Sequence, residues 1–359
     1  MKAVYIHIPF CDSICSYCDF PKIFNYSNLV DDYLDVLEEE IKNRYKKEFI
    51  TSIYIGGGTP SSLNINQLTR LFDIIKIFKK NNDTEITIEC NIENLTYEKL
   101  TLIKKHVNRL SIGIQTFNDL FLSFLNRNYT EKDIYEKLSL VKKLGFNNVN
   151  IDLIYALKNQ SLNDLNNDID EFLKLGFNHI STYSLMICPN TKLYLQKEEN
   201  IDEDLDRDMY DLICKKLKEN GYIHYEISNF SKKGFESKHN LIYWNNLEYY
   251  GFGMGASSYI ENIRSDNTKS INKYLNKEFT LENEILSKED IIKYELILGF
   301  RKIKGINKKD FFKKYNIDIK EISSIQKLLD SQKLLENNEY IYINPDYIYI
   351  SNSILMEFV

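Results

Sequence analysis

Hydrophobic and polar positions alternate between two rhythms over residues 1–230. Short β-branched runs read as strands at Val4–Ile8, Ser52–Ile55, Glu85–Glu89, Arg109–Ile114, Asn148–Leu153 and His179–Leu185. Between them, apolar residues step by three and four, the spacing that keeps side chains on one helix face. Val30, Leu34, Leu37 and Ile41 form one such stripe. Leu68, Leu71, Ile75 and Phe78 form a second, and Ile134, Leu138, Val141 and Leu144 a third. Gly145, Gly176 and Gly221 each follow a helical run and precede a strand, in KKLGFNNVNID, LKLGFNHISTY and KENGYIHYEIS. Glycine suits the left-handed turn that ends a helix. The three segments look like one βα unit reused, which predicts an α/β fold with a parallel sheet, open or curled into a barrel. Polar residues at the C-terminal strand ends occupy the place where such folds put their chemistry.

The rhythm then changes. Residues 231–286 contain HNLIYWNNLEYYGFGMGASSY, rich in aromatics and glycine, and read as irregular structure packed on the sheet. Residues 287–359 are helical again, with Ile291, Leu296, Phe300, Phe311, Ile325, Leu328 and Leu335 as expected core positions. A terminal hairpin is predicted in YIYINPDYIYI, turning at Asn344, Pro345 and Asp346. Helices followed by a hairpin suggest a small α+β winged-helix-like domain. The lysine-rich stretch from Arg301 to Lys314 reads as a solvated helix face.

Composition narrows the picture. The chain has 359 residues, 43% of them hydrophobic and 27% charged, which excludes a disordered or collagen-like protein. A net charge of −6 argues against a non-specific nucleic-acid binder. No run of about 18 apolar residues suggests a membrane span. MKAVYIHIPFC does not read as a signal peptide, so a cytoplasmic location is expected, where thiols stay reduced.

Cys11, Cys15 and Cys18 form C-x3-C-x2-C directly after the first strand. Cys90, Cys188 and Cys214 are scattered and read as packing residues. A structural zinc needs four closed ligands, and His7 and Asp19 are the nearby candidates for a fourth, neither at a familiar zinc spacing. A disulfide would leave one cysteine over. An iron–sulfur cluster suits soft thiolates, and three cysteines on a four-iron cube leave one iron open.

The triad, with Tyr17 before its last cysteine, resembles the radical S-adenosylmethionine (SAM) superfamily. The flanking YIHIPFCDSICSYCDF is similar to the oxygen-independent coproporphyrinogen III oxidase-like branch, and within it to haem chaperones of the HemW type. The resemblance spans nearly the whole chain and implies a partial (β/α)6 TIM-like barrel. It implies a [4Fe–4S] cluster on Cys11, Cys15 and Cys18, with SAM chelated to the open iron and cleaved by electron transfer.

Gly56, Gly57, Gly58, Thr59 and Pro60 form GGGTP after the second strand. Bare backbone there lets a ligand reach N–H groups, and the resemblance makes Gly57, Gly58 and Thr59 the loop for the amino end of SAM. By the same resemblance Tyr5, Tyr17, Glu89, Gln115, Arg127 and Asp152 are SAM contacts. HNLIYW, from His239 to Trp244, matches the HNxxYW pattern of the chaperones and points to His239 as a haem ligand beside an aromatic wall. On the residues alone, a histidine among aromatics is a hydrogen-bonded structural residue.

Four departures stand out. Ala156 and Lys158 replace the Gly and Pro of DLIYGLP, Cys188 replaces an acidic residue, and Ser257 stands where a histidine is common. Phe20 occupies the position of the oxidase branch's further cysteine, which favours the chaperone. The expected function is therefore haem binding and delivery to an acceptor haemoprotein. An external electron donor is expected, and a homodimer is allowed. A radical SAM enzyme acting on a porphyrinogen or another substrate is the alternative, and a zinc-stabilised interaction protein the third reading.

Overall fold

A computed structural model describes residues 2–359, apart from the Ser27 side chain. The six expected strands form as β1 (Lys2–Ile8), β2 (Ile50–Gly57), β3 (Glu85–Asn91), β4 (Arg109–Gln115), β5 (Val149–Tyr155) and β6 (His179–Ser184). They lie side by side in chain order and all pair in parallel. The main connecting helices are α1 (Ser27–Arg44), α2 (Ile65–Ile74), α3 (Tyr97–Lys104), α4 (Glu131–Lys143) and α5 (Leu162–Leu175), with α6 (Glu203–Glu219) after β6. Capping boxes on Asn64, Thr130 and Ser161 start α2, α4 and α5. Gly145, Gly176 and Gly221 all have positive φ, as the helix-ending turn requires.

Strand alternation sorts the side chains. Val4, Ile6, Ile8, Ile53, Ile55, Ile88, Leu110, Ile112, Ile114, Val149 and Ile151 are fully buried in the apolar core. The other face carries Tyr5 and His7 on β1, Tyr54 on β2, Thr87 and Glu89 on β3, Arg109 and Ser111 on β4, Asn150 and Asp152 on β5, and His179 and Ser181 on β6. Register aligns these in rows: Glu89 beside Ser111, Ser111 beside Asn150, and Asp152 beside Ser181. Parallel strands covered on both faces are usually apolar throughout. A polar inner face therefore marks a site.

Beyond β6, β7 (Ile223–Glu226) and β8 (Asn229–Ser231) close that edge with antiparallel pairs. Residues 231–286 correct the expectation of irregular structure. After α7 (Lys238–Trp244), the strands β9 (Tyr249–Phe252), β10 (Ser257–Ile260), β11 (Ile263–Asn267) and β12 (Thr280–Ile285) extend the sheet on the far side of β1 to twelve strands. Aromatics favour strands. Glu261 and Asn262 take the two positive φ values of a tight hairpin turn without any glycine. Gly251 has a packing role, since a Cβ there would meet the Ser257 carbonyl oxygen at 2.0 Å.

The final segment contains α8 (Lys288–Gly299), a short strand at Ile306–Asn307, α9 (Lys308–Tyr315), α10 (Ser323–Asp330) and a hairpin. The hairpin is not the expected one. Tyr340–Ile343 pairs back onto Leu334–Glu336. Asn344 instead accepts from the Asp346 N–H at 3.2 Å and caps a 3-10 turn opening on Pro345. Leu334 fills the core place expected of Leu335, and Ile291 is half-buried, while the other expected core residues are buried. Lys308 pairs with Glu336 at the surface, whereas Lys314 pairs with the buried Glu295 and Lys302 donates to Asn245 Oδ1, so the stretch is partly packed and not a wholly solvated face. Among the described residues, no helix is long and apolar enough to cross a membrane.

Candidate functional site

A cavity of about 580 Å³ lies among the C-terminal strand ends, and Cys11, Cys15 and Cys18 all line it. The cysteine loop is held from several sides. Phe10–Cys11 pairs with Ile23–Phe24. Ser16 donates through N to Leu125 O (3.1 Å) and through Oγ to Phe124 O (2.9 Å), and Asn126 Nδ2 donates to Ile14 O at 2.8 Å. Thr59 Oγ1 donates to Cys11 Sγ at 3.6 Å. Burial pushes the Cys11 thiol up to about 11 and raises Cys18 as well. A bound iron would reverse that balance, because a coordinating thiol is deprotonated outright.

Arg127 and Tyr17 meet beneath the loop, with Nη2 donating to the Tyr17 hydroxyl at 2.6 Å. The Nε and Nη1 of Arg127 are buried without a partner. A guanidinium only 8% exposed with two idle donors calls for an anion. Glu89 accepts from Tyr54 OH and from Gly57 N, each at 2.9 Å. Burial raises its carboxyl to about 7, with the nearby Asp152 adding to the shift and the two donors opposing it. Asp152 accepts from Asn150 Nδ2 at 2.7 Å and from Ser111 Oγ at 3.3 Å, and burial raises it too. Gln115 ends β4 at φ 67°, and its side chain lines the same cavity.

The glycine loop works differently from the sequence expectation. Its N–H groups are already used: Gly57 N by Glu89, Gly58 N by Ile8 O and Thr59 N by Phe10 O. The close approach is real. A Cβ on Gly58 would meet the Pro9 carbonyl carbon at 2.6 Å, and one on Gly56 the Glu89 carboxyl at 2.7 Å.

The donor set therefore fits a cluster and SAM. Three thiols line the cavity, the Arg127 guanidinium keeps two idle donors for a carboxylate beside its bond to Tyr17, and Glu89 and Asp152 supply acceptors for an amino group. Among the described residues no three His, Cys, Asp or Glu side chains group tightly enough for a single metal ion. His7 is no fourth ligand. Its ring nitrogens bond Tyr5 OH (3.0 Å) and Pro21 O (2.8 Å).

Two expected contacts lie elsewhere. Tyr5 stacks on Tyr54 and lines a second cavity behind Glu89. His239 is 1% exposed, with Nδ1 2.9 Å from Ser52 Oγ and Nε2 2.8 Å from Tyr243 OH. Burial lowers it to about 3, so it is neutral and both nitrogens are engaged. Both ring nitrogens thus face hydroxyl groups of the protein, Ser52 on β2 and Tyr243 on its own helix. Cys188 is corrected from packing residue to cavity wall, while Cys90 is buried as expected.

Sequence reasoning missed Tyr54, Asn91, Arg109 and Asn240, all of which line the main cavity. Asn91 Nδ2 donates to Thr59 Oγ1 at 3.1 Å and fixes the loop that holds Cys11. The period-two polar rows on β3 to β6 were the available signal.

The radical SAM superfamily profile matches residues 5–172. The chain is 41% identical over 285 residues to the "Heme chaperone HemW" of Bacillus subtilis, covering 77% of this chain and 75% of that one. It is 41% identical over 300 residues to the protein of the same name from Lactococcus lactis, covering 80% and 78%. In fold it is similar to the radical SAM coproporphyrinogen III oxidase HemN of Escherichia coli, with a TM-score of 0.87 at 22% identity over 99% of this chain and 89% of that one. A parallel polar-faced sheet, a cysteine loop at its C-terminal rim and these likenesses agree: the chain belongs to the radical SAM superfamily, in the coproporphyrinogen-oxidase-like branch beside the HemW proteins.

Proposed function

We propose that the chain is a HemW-like haem carrier of the cytoplasm. Cys11, Cys15 and Cys18 hold a [4Fe–4S] cluster, SAM fills the cavity beneath, and haem is the cargo passed to an acceptor haemoprotein. In this reading residues 1–230 form the cofactor core, 231–286 the cargo side and 287–359 a winged-helix-like appendage. The observation that carries it is the convergence of three thiols with the idle donors of Arg127 on one cavity.

Bound and reduced, a cluster of this kind would supply the one electron that cleaves the SAM sulfonium into methionine and a 5′-deoxyadenosyl radical. The chain's own residues do the rest. Arg127 takes the carboxylate of SAM, and Tyr17 orients that guanidinium. Glu89 and the Gly57 and Gly58 carbonyls receive the ammonium, with Gln115 and Asp152 lining the far wall. The enclosing strands limit water around the reactive end. The electron comes from a donor outside the chain.

A completed SAM pocket also favours the second reading, a radical SAM enzyme acting on a porphyrinogen, since a carrier has no evident need for turnover. Anaerobic reconstitution followed by parallel assays of haem retention and deoxyadenosine release separates the two. Retained haem with little deoxyadenosine supports the carrier. Deoxyadenosine in proportion to a porphyrinogen consumed, without haem retention, overturns it.

A further inference from the structure

The cysteine loop also borders an open recess of about 440 Å³. Cys15 and Cys18 line this recess as well as the main cavity, so the loop stands between the two. Lys22, Lys192 and Lys269 line the recess against one carboxylate, Asp19. The whole chain carries a charge of −6, so this face runs against the average. Lysines elsewhere pair with carboxylates, as Lys46 does with Glu261 and Lys277 with Glu39. Among the described residues none of these three does. Lys22 Nζ donates to backbone alone, to Cys18 O at 2.5 Å and Phe20 O at 3.3 Å. Lys192 and Lys269 are exposed. Phe20, which lines both cavities, is 60% exposed, and Met186 on the main cavity is 69% exposed. The cations sit on segments tied to the loop. Beside Lys192, Leu193 is buried and its N–H donates to Ser16 O at 3.0 Å. Beside Lys269, the Gly255 N–H donates to Thr268 O at 2.9 Å, and a Cβ on Gly255 would meet Pro21 Cγ at 2.8 Å and Lys269 Cγ at 3.8 Å. Fixed, unpaired cations around an exposed apolar patch complement an acidic protein surface.

We propose that this face docks an acidic one-electron carrier protein, with Lys22, Lys192 and Lys269 meeting its carboxylates and Phe20 its apolar centre. The inference rests on the cluster reading above and adds where the electron enters. The step is a bare electron transfer. The carrier's flavin or iron–sulfur centre is oxidised by one electron, the cluster is reduced by one, and no bond is made or broken. Position favours this occupant. The recess reaches two of the three thiols assigned to the cluster without passing through the main cavity, so a carrier seated there leaves the SAM space free. An exposed phenylalanine and an aspartate among the lysines suit a protein surface better than a phosphate backbone.

The test is stopped-flow reduction of the full-length, cluster-reconstituted protein by a reduced acidic flavodoxin, followed at the cluster absorbance band, with the Kd of the pair measured by fluorescence anisotropy. The variant Lys192→Glu/Lys269→Glu reverses two exposed charges that do not line the main cavity. The control, Lys309→Glu/Lys313→Glu, makes the same charge change on exposed positions of α9. At low salt the first variant should be reduced about tenfold more slowly than the wild type and bind the flavodoxin about tenfold more weakly. The gap should close at about 1 M salt, where charges are screened beyond about 3 Å. The control should stay within about twofold of the wild type. Equal iron and sulfide content, and an equal end point with dithionite, show that each variant keeps its fold and cluster. Equal rates in the wild type and the first variant, an equal loss in the control, or a wild type that the flavodoxin neither binds nor reduces overturns the docking assignment while the cluster reading stands. A first variant that changes the sedimentation of the chain but not its rate of reduction makes the face a contact between copies and overturns the assignment as well. A wild type that holds no iron and sulfide overturns the cluster reading, and the docking assignment with it.

Discussion

Glu89 allows a quantitative test of the cavity's electrostatics. Replacing it with glutamine keeps its shape and removes its charge. In the native chain burial raises this carboxyl from the ordinary 4.5 to about 7. The folded state therefore binds the proton more tightly than the unfolded chain. The resulting stability is fully present below about pH 4.5 and is lost as pH rises through about 7. At about 1.4 kcal/mol per pKa unit, the loss comes to between about 3 and 4 kcal/mol. Glu89 keeps some accessible surface on the cavity side, so water there screens part of it and that figure is a ceiling. Glutamine also loses an acceptor for Tyr54 OH or Gly57 N, about 1–2 kcal/mol, but that offset does not vary with pH. The assay is urea unfolding of the cluster-free, reduced protein at pH 5, 6, 7 and 8. The wild type should lose stability relative to Glu89→Gln between pH 5 and 7 and then level off. Parallel stability curves for the two proteins would refute the reasoning. Ligand binding should run the other way. An ammonium group pairs with the ionised carboxylate, so SAM affinity should rise with pH through about 7 and plateau above it.

Arg127→Met should weaken SAM binding tenfold or more by equilibrium dialysis, while leaving the thermal midpoint of the unliganded protein unchanged or higher, because a buried cation with idle donors is replaced by an apolar chain. Cys15→Ser should abolish cluster binding, and a variant with full iron and sulfide content after anaerobic reconstitution disproves the ligand assignment. Gly57→Ala should destabilise the fold by about 3 kcal/mol in chemical denaturation, since φ is +111° and the new Cβ would lie 2.5 Å from the His7 ring. Glu40→Ala should cost about 3–5 kcal/mol by the same measurement. That fully buried carboxylate accepts from Arg44, Gly253 N, Asn267 Nδ2 and Tyr274 OH, and so ties α1 to the added strands.

The parallel core was legible because two independent periodicities agreed. Stripes such as Val30, Leu34, Leu37 and Ile41 mark helix faces by spacing alone, and each of these four residues is fully buried. The cysteine loop was legible because three soft ligands so close together admit few explanations. The rest depended on information that local pattern does not carry. The strand from Tyr249 to Phe252 is defined by its partner β1, not by its own alternation. The terminal hairpin misled because Asn-Pro-Asp serves equally as a turn and as a helix start, and Asn344 takes the capping role. The role of His239 is set by Ser52, 187 residues away, which fills one ring nitrogen while Tyr243 fills the other. Burial of Arg109 at 2% exposure inside the barrel was equally invisible, because a charged residue opening a strand ordinarily reads as solvated.

The departures from family pattern acquire meaning from where they fall. Ala156 sits at φ 60°, the left-handed region in which glycine is unstrained, and is 3% exposed. Its methyl group is a conformational cost of about 1–2 kcal/mol, offset in part by burial, and it touches backbone geometry rather than a cavity. Lys158 is exposed and pairs with Glu198 at 2.8 Å, a surface contact of small worth. Neither residue lines either cavity. Cys188 and Ser257 do. Cys188 lines the cavity of the cysteine triad, and Ser257 lines the second cavity, where its hydroxyl is hydrogen-bonded to Asp266. Where the pattern has a histidine, the second cavity thus presents a hydroxyl already engaged. His7 and His239, which line and back this cleft, each have both ring nitrogens in internal hydrogen bonds.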